Sequence, residues 1–428
     1  MYATFTLPNG VRVVLAPLKD TQTVTVLALF GVGSRYEKKE LNGSSHFIEH
    51  LMFKGTDKRP NSLAISKELD AVGAEYNAYT GKDHTGYYVK VNYEQLSLAL
   101  DVVSDMLFHS KFDAEEMERE KKVIAEEIRM YRDNPMMYVD NLLEQVMFLP
   151  SSLGWDIAGD VETVSAFDRD AVISYMRSHY RPENTVIGIA GNFDSEKARE
   201  EVQKLFSQFP SAPAGAVLPS YETFYQSEVA SGPCVLTHFK ETEQVQLALG
   251  WYGYKYLHPD SYALSVLANI LGGTMSSRLF ISVRERLGLC YYIRATHQPY
   301  QDTGNFYVQA GLDKSRIREA IPVILKEIEK IKREGITDSE LQRAKDNTKG
   351  RMAIQLEDSE HVVSWYSTQE ILTKNMLTPQ EKLAKIYAVT GDDVLRVAQE
   401  IFQQNALHLA VIGPYRDSKE FDPLFVMT

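Results

Sequence analysis

The stretch Ser44-Ser45-His46-Phe47-Ile48-Glu49-His50-Leu51-Met52 decides how this chain of 428 residues is interpreted, because it contains the pattern H-x-x-E-H. Residues four apart share one face of a helix, so the imidazoles of His46 and His50 can bind one metal ion while Glu49 reaches a water molecule beside it. We expect Ser44 and Ser45 to cap a short helix here. The pattern indicates a zinc centre that hydrolyses peptides.

An acidic segment at residues 113–130 offers candidates for a third ligand. It predicts a helix that Asp113 caps and that ends before Pro135. A catalytic zinc site uses three protein ligands and leaves one position for water, so the two histidines require one more ligand. Glu120 and Glu127 are two helical turns apart and share a face. The residues alone do not rank one above the other.

With both segments in view, the chain resembles the pitrilysin/insulinase metallopeptidases, or inverzincins, which include the mitochondrial processing peptidase and shorter prokaryotic relatives. In that family the third ligand lies in a segment similar to E-R-x-x-V-I-x-E-E-I, which corresponds here to residues 118–128. The resemblance implies that Glu127 binds zinc with His46 and His50. It implies that Glu120 is an auxiliary carboxylate and that Glu49 is the catalytic base.

The resemblance also covers Asn77-Ala78-Tyr79-Thr80, which predicts an edge strand, and the segment His84-Thr85-Gly86-Tyr87-Tyr88, which predicts its return. In the family this edge strand pairs with the substrate backbone, which implies peptide binding at Asn77 and Ala78. An exposed edge suits that role, since its unpaired N–H and C=O groups can bind an extended peptide of any sequence. We expect His84 to be structural or on the substrate side, not a metal ligand.

Residues 283–292 resemble the family's Arg/Tyr segment, in which the two residues are seven apart. Arg284 and Tyr291 fit this spacing, and Arg286 and Tyr292 are the fallback assignments. A phenol can donate to the oxyanion of a tetrahedral intermediate, and a guanidinium can bind substrate carbonyls. Without the resemblance, the segment predicts only the start of a strand with a basic flank.

The resemblance predicts two related domains. We expect a zinc-binding peptidase domain at residues 1–208, an extended proline-containing linker at 209–220, and a C-terminal domain of the same fold at 221–428 that carries the Arg/Tyr wall. Strand patterns alternate with helix patterns in each half, as at residues 24–30, 96–108, 245–250 and 317–331. The predicted fold class is α/β (an α+β sandwich), with helices covering one side of a mainly antiparallel sheet.

An internal repeat supports this division. Aligning Arg119 with Arg343 places Ala344 opposite Glu120 and Arg351 opposite Glu127. The second copy therefore lacks the acidic ligand positions, and we expect one zinc ion per chain.

Composition limits the partners. The net charge of −12 argues against nucleic acid and against an anionic membrane. No apolar run reaches the ~18 residues of a membrane span, and the chain begins directly with a predicted strand, so we expect a cytoplasmic protein. Cys234 and Cys290 are the only cysteines, too few for a disulfide framework, and Cys290 is predicted to be a small buried hydrophobe.

The expected function is a zinc-dependent endopeptidase that hydrolyses short or unfolded peptides, or presequence-like segments, inside a clamshell dimer. Family members of this length work as dimers, which implies a homodimer in which Arg284 and Tyr291 come from the partner chain. The alternative is a peptide-binding or scaffold subunit of a hetero-oligomeric processing complex. The presence of the whole metal motif disfavours that alternative.

Overall fold

The computed structural model describes residues 2–210, 217–226, 232–424 and 426–427. Within these ranges the strands are β1 Ala3–Thr6, β2 Arg12–Pro17, β3 Thr23–Phe30, β4 Glu75–Thr80, β5 Thr85–Asn92, β6 Thr185–Gly191, β7 Cys234–Phe239, β8 Gln244–Tyr252, β9 Cys290–Pro299, β10 Gly304–Asp313 and β11 His408–Gly413. The helices are α1 Ser44–Leu51, α2 Ser62–Asp70, α3 Leu96–His109, α4 Ala114–Asp133, α5 Pro135–Phe148, α6 Val161–Ser165, α7 Arg169–His179, α8 Ser195–Phe206, α9 Ser261–Gly272, α10 Ile317–Glu334, α11 Asp338–Gln355, α12 Ser359–Leu372, α13 Pro379–Ala388 and α14 Gly391–Ile401. A π-helical turn, Phe280–Arg286, precedes β9.

The strands form two sheets that share a five-strand arrangement, to which the first sheet adds β1 at one edge. The first has the order β1-β2-β6-β3-β5-β4, and the second has the order β7-β11-β8-β10-β9. In both sheets one pair is parallel, β2 with β6 and β7 with β11, whereas the other neighbours are antiparallel. This confirms the predicted fold class, two related and mainly antiparallel sheets covered by helices.

The helices repeat as well. The helices α4 and α11 begin at Ala114 and Asp338, and α5 and α12 begin at Pro135 and Ser359, so both pairs are 224 positions apart. This is the offset that aligns Arg119 with Arg343.

The chain divides into two units that each combine separate segments. Unit 1 contains residues 1–128, 156–222 and 352–377, and unit 2 contains residues 129–155, 223–351 and 378–428. This differs from the contiguous halves expected from the sequence, because the segment with α5 belongs to unit 2 and the segment with α12 belongs to unit 1. The predicted linker at 209–220 remains a prediction, since residues 211–216 lie outside the described residues.

Both faces of the first sheet are buried, so the expectation of helices on one side was wrong. Along β3, Val26 and Phe30 join a cluster that includes the apolar residues of α3, whereas Leu27 and Leu29 join a second cluster with Val363 of α12. Side chains alternate between the faces of a strand, so a strand this apolar needs cover on both. Burying one such side chain contributes about 1.5–3 kcal/mol, which explains why α12 is recruited from the far part of the chain.

In unit 2, α5 covers one face of the second sheet, as α12 covers one face of the first. Val139, Leu143 and Met147 of that helix pack with Ala248 of β8 and Ala410 of β11. The opposite face of the second sheet packs in a separate cluster with apolar residues of α9, α10 and α14. Each sheet is therefore the middle layer of a three-layer unit.

Candidate metal centre

The helix α1 carries the H-x-x-E-H motif and is capped by a residue outside the motif. Oε2 of Glu37 accepts a hydrogen bond from the backbone N–H of Gly43, and Oε1 accepts one from that of Ser45, both at 2.7 Å. Burial raises the pKa of Glu37 to about 7, and its ionised form would also match the positive end of the helix dipole. The expectation that Ser44 or Ser45 caps the helix was wrong, because both lie within its first turn.

Three side chains converge beside α1. Nε2 of His50 lies 3.2 Å from Nε2 of His46 and 3.3 Å from Oε2 of Glu127, and Nε2 of His46 lies 3.8 Å from the same oxygen. His46 and His50 are one helical turn apart, and Glu127 lies on α4. The structure thus brings together the three residues that the sequence analysis assigns to the metal.

The spacing of these atoms fits a tetrahedral zinc ion. Ligand bonds of about 2.0–2.1 Å place two ligand atoms of a tetrahedral ion about 3.3–3.4 Å apart. Two of the three separations are within about 0.2 Å of that range, and the third, between His46 and Glu127, is 3.8 Å. Two imidazoles and one carboxylate are the donor set of a catalytic zinc site.

The other nitrogen of His50 is held by Glu120, which places Nε2 toward the converging atoms. Nδ1 of His50 lies 2.8 Å from Oε1 of Glu120, and Nζ of Lys54 lies 2.7 Å from Oε2. The Glu120 side chain is only 3% exposed. A carboxylate in this position fixes the tautomer and orientation of a metal-binding histidine. The structure therefore separates Glu120, behind the histidine, from Glu127, beside the metal-facing nitrogens.

The pKa values show a pocket suited to a cation. Burial and the neighbouring His50 lower the pKa of His46 to about 4. Burial also acts to lower the pKa of His50, but its contacts with Glu120 and Glu127 outweigh it and raise that pKa to about 9. The hydrogen bond with His50 lowers the pKa of Glu127. Glu127 beside these nitrogens, and Glu120 behind His50, give the site negative charge that favours a cation.

Glu49 points from α1 toward the first sheet. Its Oε2 accepts a hydrogen bond of 2.5 Å from the hydroxyl of Thr80, the last residue of β4. Burial raises the pKa of Glu49, and the bond from Thr80 acts against this rise. A carboxylate with a raised pKa beside a metal site is suited to proton transfer near neutral pH.

The strand β4, which contains Asn77 and Ala78, lies at the edge of the first sheet. It pairs with β5 on one side only, with Ala78 opposite Tyr87. This confirms the predicted edge strand and its return.

Arg284 and Tyr291 lie in unit 2. Arg284 is on the π-helical turn and Tyr291 is on β9, and the guanidinium carbon lies 5.6 Å from the centre of the tyrosine ring. Tyr291 is 72% exposed. The fallback residue Tyr292 instead donates a hydrogen bond of 2.7 Å to Gln246. Of the two tyrosines, Tyr291 is the one whose ring is open to a ligand.

The second copy of the fold has no acidic side chain at the positions that correspond to the metal centre. Ala344 is buried in the core of unit 2, and Arg351 donates to the carbonyl of Gly273 at 2.8 Å. In the described part of the chain, one other group of ligand-type residues occurs, Asp358, Glu360 and His361. Asp358 caps α12 and pairs with Lys90 at 3.0 Å, which gives that group a structural explanation.

Two secondary expectations concern His84 and Cys290. His84 is not in the metal-type cluster, and its ring lies edge-on to Tyr79 with the ring centres 5.8 Å apart. Cys290 packs in the core of unit 2, and burial raises the pKa of its thiol to about 11. The prediction of a small buried hydrophobe is confirmed.

Sequence reasoning missed three contacts of the centre. Lys54 follows His50 by four residues, so helical spacing was a signal that it lies on the same face. Thr80 was recognised as part of the edge strand but not as a partner of Glu49. Glu37 carried no local signal, because it reaches the helix from a preceding loop.

Two family profiles match the chain, "Insulinase (Peptidase family M16)" over residues 12–160 and "Peptidase M16 inactive domain" over residues 166–348. The "uncharacterized zinc protease YmxG" of Bacillus subtilis is 37% identical over 414 residues, which covers 97% of this chain and 98% of that protein. The "uncharacterized zinc protease SCO5738" of Streptomyces coelicolor is 36% identical over 414 residues, which covers 97% and 90%.

A solved structure, "The crystal structure of a protease from Helicobacter pylori", has the same fold. It superposes with a TM-score of 0.90 at 24% sequence identity and covers 97% of this chain and 100% of that one. A membrane-crossing helix would need about 20 largely apolar residues, and none of the helices in the described ranges meets that requirement.

Proposed function

The chain belongs to the insulinase family of metallopeptidases, peptidase family M16, and from this premise we propose that it is a zinc-dependent endopeptidase. Its substrates are short or unfolded peptides, or presequence-like segments. The observation that carries the proposal is the convergence of His46, His50 and Glu127, with the carboxylate of Glu49 on the same helix. The two full-length relatives described above are named zinc proteases, which supports the assignment.

His46, His50 and Glu127 would hold one zinc ion per chain. A zinc ion bound there supplies Lewis acidity, which activates water at neutral pH and polarises the scissile carbonyl. Glu120 and Lys54 keep the His50 ring in the orientation that directs Nε2 at the ion. One ion per chain follows from the missing acidic ligands at Ala344 and Arg351.

Glu49 is the base and acid of the reaction. Its carboxylate, held at Oε2 by Thr80, accepts the proton of the attacking water and later delivers it to the leaving amine. Burial raises the pKa of Glu49, which favours uptake of the proton in the first step.

The substrate binds as an added strand on β4, with its backbone along Asn77 and Ala78. Strand addition recognises the peptide backbone, so it accepts many sequences but requires an extended, unfolded chain. This accounts for a preference for short or unfolded peptides.

We assign Arg284 and Tyr291 to substrate contacts supplied by the partner chain of a clamshell homodimer. The support is that one chain carries both the metal motif and the Arg/Tyr pair, and that the Tyr291 ring is exposed. Mixing Tyr291→Phe protein with Glu49→Gln protein should restore roughly one intact site per heterodimer. A mixture with no activity above that of the separate variants contradicts the homodimer.

We place the protein in the cytoplasm. We infer no nucleic-acid or membrane partner, because its net charge of −12 disfavours binding to either polyanion. The alternative function is a peptide-binding or scaffold subunit of a processing complex. It is retained because the second half matches a profile described as an inactive domain. It requires that the purified protein binds peptides without cutting them.

The test is cleavage of a mixed pool of short unstructured peptides by zinc-loaded protein, read by mass spectrometry. Glu49→Gln should abolish cleavage and keep one equivalent of zinc. Glu118→Gln is the matched control, because Glu118 is 68% exposed on α4 and forms an ion pair with Lys121 on the helix surface. Zinc-loaded wild-type protein that binds peptides and cuts none would favour the scaffold alternative.

A further inference from the structure

Thr80 links the carboxylate of Glu49 to the edge strand β4. We propose that Thr80 is a positioning residue, whose hydroxyl fixes one orientation of the Glu49 carboxylate relative to a peptide on that strand. The inference rests on the proposed function and adds a residue to which neither the motif nor the metal ligands assign a role.

The hydrogen bond itself is the first observation. The Thr80 hydroxyl donates to Oε2 of Glu49 at 2.5 Å. Bonds from a hydroxyl to a carboxylate are short and about twice as strong as those between neutral groups. A glutamate side chain has three rotatable bonds, and this contact holds its end in one place.

The turn after Thr80 is fastened to the loop that precedes α1. The backbone N–H of Ser34 donates to the carbonyl of Gly81 at 3.0 Å. Nη1 of Arg35 lies 3.1 Å from Oδ1 of Asp83, and both side chains are almost fully buried. A buried, hydrogen-bonded ion pair tolerates little displacement, since separating the charges leaves each uncompensated. The end of β4 is therefore fixed to this loop.

The same loop holds the start of α1. Glu37 follows Arg35 by two residues and accepts the backbone N–H groups of Gly43 and Ser45. One short loop thus fixes the strand that ends in Thr80 and the helix that carries Glu49. The hydrogen bond between Thr80 and Glu49 links that strand and that helix directly as well.

The arrangement predicts an effect on turnover and not on binding. A peptide added to β4 contacts the backbone of the strand, which loss of a side-chain hydroxyl does not change. The base, in contrast, would lose its fixed orientation. Misplacement of a reacting group by about 1 Å can slow a reaction about 100-fold.

The experiment compares three variants in steady-state cleavage of one peptide from the pool. Thr80→Val should lower kcat by about 10–100-fold and leave KM within about twofold of wild type. Thr80→Ser should recover most of the lost kcat, because it restores the hydroxyl. Thr85→Val is the matched control: Thr85 is the register partner of Thr80, and its hydroxyl bonds the carbonyl of Val32 instead.

Two results overturn the inference. One is a Thr80→Val enzyme with wild-type kcat, or one whose loss falls on KM alone. The other is a crystal structure of Thr80→Val in which the Glu49 carboxylate keeps its orientation, a readout that does not depend on activity. Failure of the proposed function is distinguishable, since it would show as wild-type protein that does not cut peptides.

Discussion

Nδ1 of His50 and Oε1 of Glu120 lie 2.8 Å apart, a contact between the metal helix and a carboxylate that is not itself positioned to bind the metal. It joins α1 to α4 and sets which nitrogen of His50 faces His46 and Glu127. Ligand geometry therefore depends on a residue that the ligand set does not include.

Glu120→Gln should weaken zinc binding by about 10–100-fold, because the neutral amide no longer holds the His50 ring as strongly and leaves Lys54 unpaired. Competition with a chromophoric chelator measures the affinity. Glu118→Gln, on the exposed side of the same helix, serves as control. Equal affinity in both variants would mean that Glu120 is dispensable for the metal.

Glu37→Gln should destabilise the protein by about 1–3 kcal/mol, since an amide cannot accept from both Gly43 and Ser45 as the two carboxylate oxygens do. Urea denaturation monitored by circular dichroism gives the free energy of unfolding. Glu40→Gln, a surface change in the same loop region, should lie within about 0.5 kcal/mol of wild type. A Glu37→Gln protein as stable as this control would refute the capping role.

Arg59 forms a buried ion network in unit 1 and should be among the most sensitive positions for stability. Its guanidinium, 2% exposed, contacts Asp105 at 2.7 Å, Asp101 at 2.6 Å and Glu68 at 2.7 Å. Arg59→Met leaves the buried carboxylate of Asp105 without its cation and should cost about 3–5 kcal/mol.

The free energy of unfolding of Arg59→Met, measured in urea, is compared with that of Arg119→Met. The Arg119 side chain is 64% exposed and pairs with Glu115 and Glu116 on the same helix, so its loss should change stability by less than about 0.5 kcal/mol. Similar values for the two variants would show that burial does not strengthen the Arg59 network.

Glu340 should contribute a pH-dependent part of the stability of unit 2. The hydrogen bonds from Arg278 lower the pKa of Glu340 to about 2, well below its ordinary value of 4.5. Because the folded pKa is depressed, the contribution is full above pH 4.5 and is lost as the pH falls toward 2. It should amount to roughly 1–3 kcal/mol after allowance for solvent screening.

Urea denaturation of wild type and Glu340→Gln at several pH values tests this. The stability difference should be largest at neutral pH and should shrink as the pH falls below 4.5. If the difference in unfolding free energy stayed constant down to pH 3, about one unit above the folded pKa, it would come from the altered side-chain shape and not from the charge of Glu340.

How far the centre could be predicted depends on sequence distance. His46, Glu49 and His50 lie within five residues, so the helical period alone fixes their arrangement. Glu127 is far away in sequence, and the period leaves it equivalent to Glu120. The choice between them needed the resemblance, and in the structure it depends on which side of His50 each carboxylate lies.

The fold was predictable in its elements but not in their assembly. The helix α12 has only weak apolar periodicity, because Ser359 and Ser367 are among its buried residues, so its sequence does not indicate that it packs against a sheet. Val26 and Leu27 show that β3 is apolar on both faces, but they do not indicate which helix covers the second face. Such pairings are tertiary, and local patterns cannot specify them.

The exchange of α5 and α12 has a consequence for the order of synthesis. A ribosome makes the first sheet, including β6 at Thr185–Gly191, long before it reaches Ser359–Leu372. Until then one apolar surface of the nascent sheet, with Leu27, Leu29 and Val186, lacks its covering helix. The first half therefore cannot bury this surface against α12 until the ribosome has passed Leu372, late in synthesis.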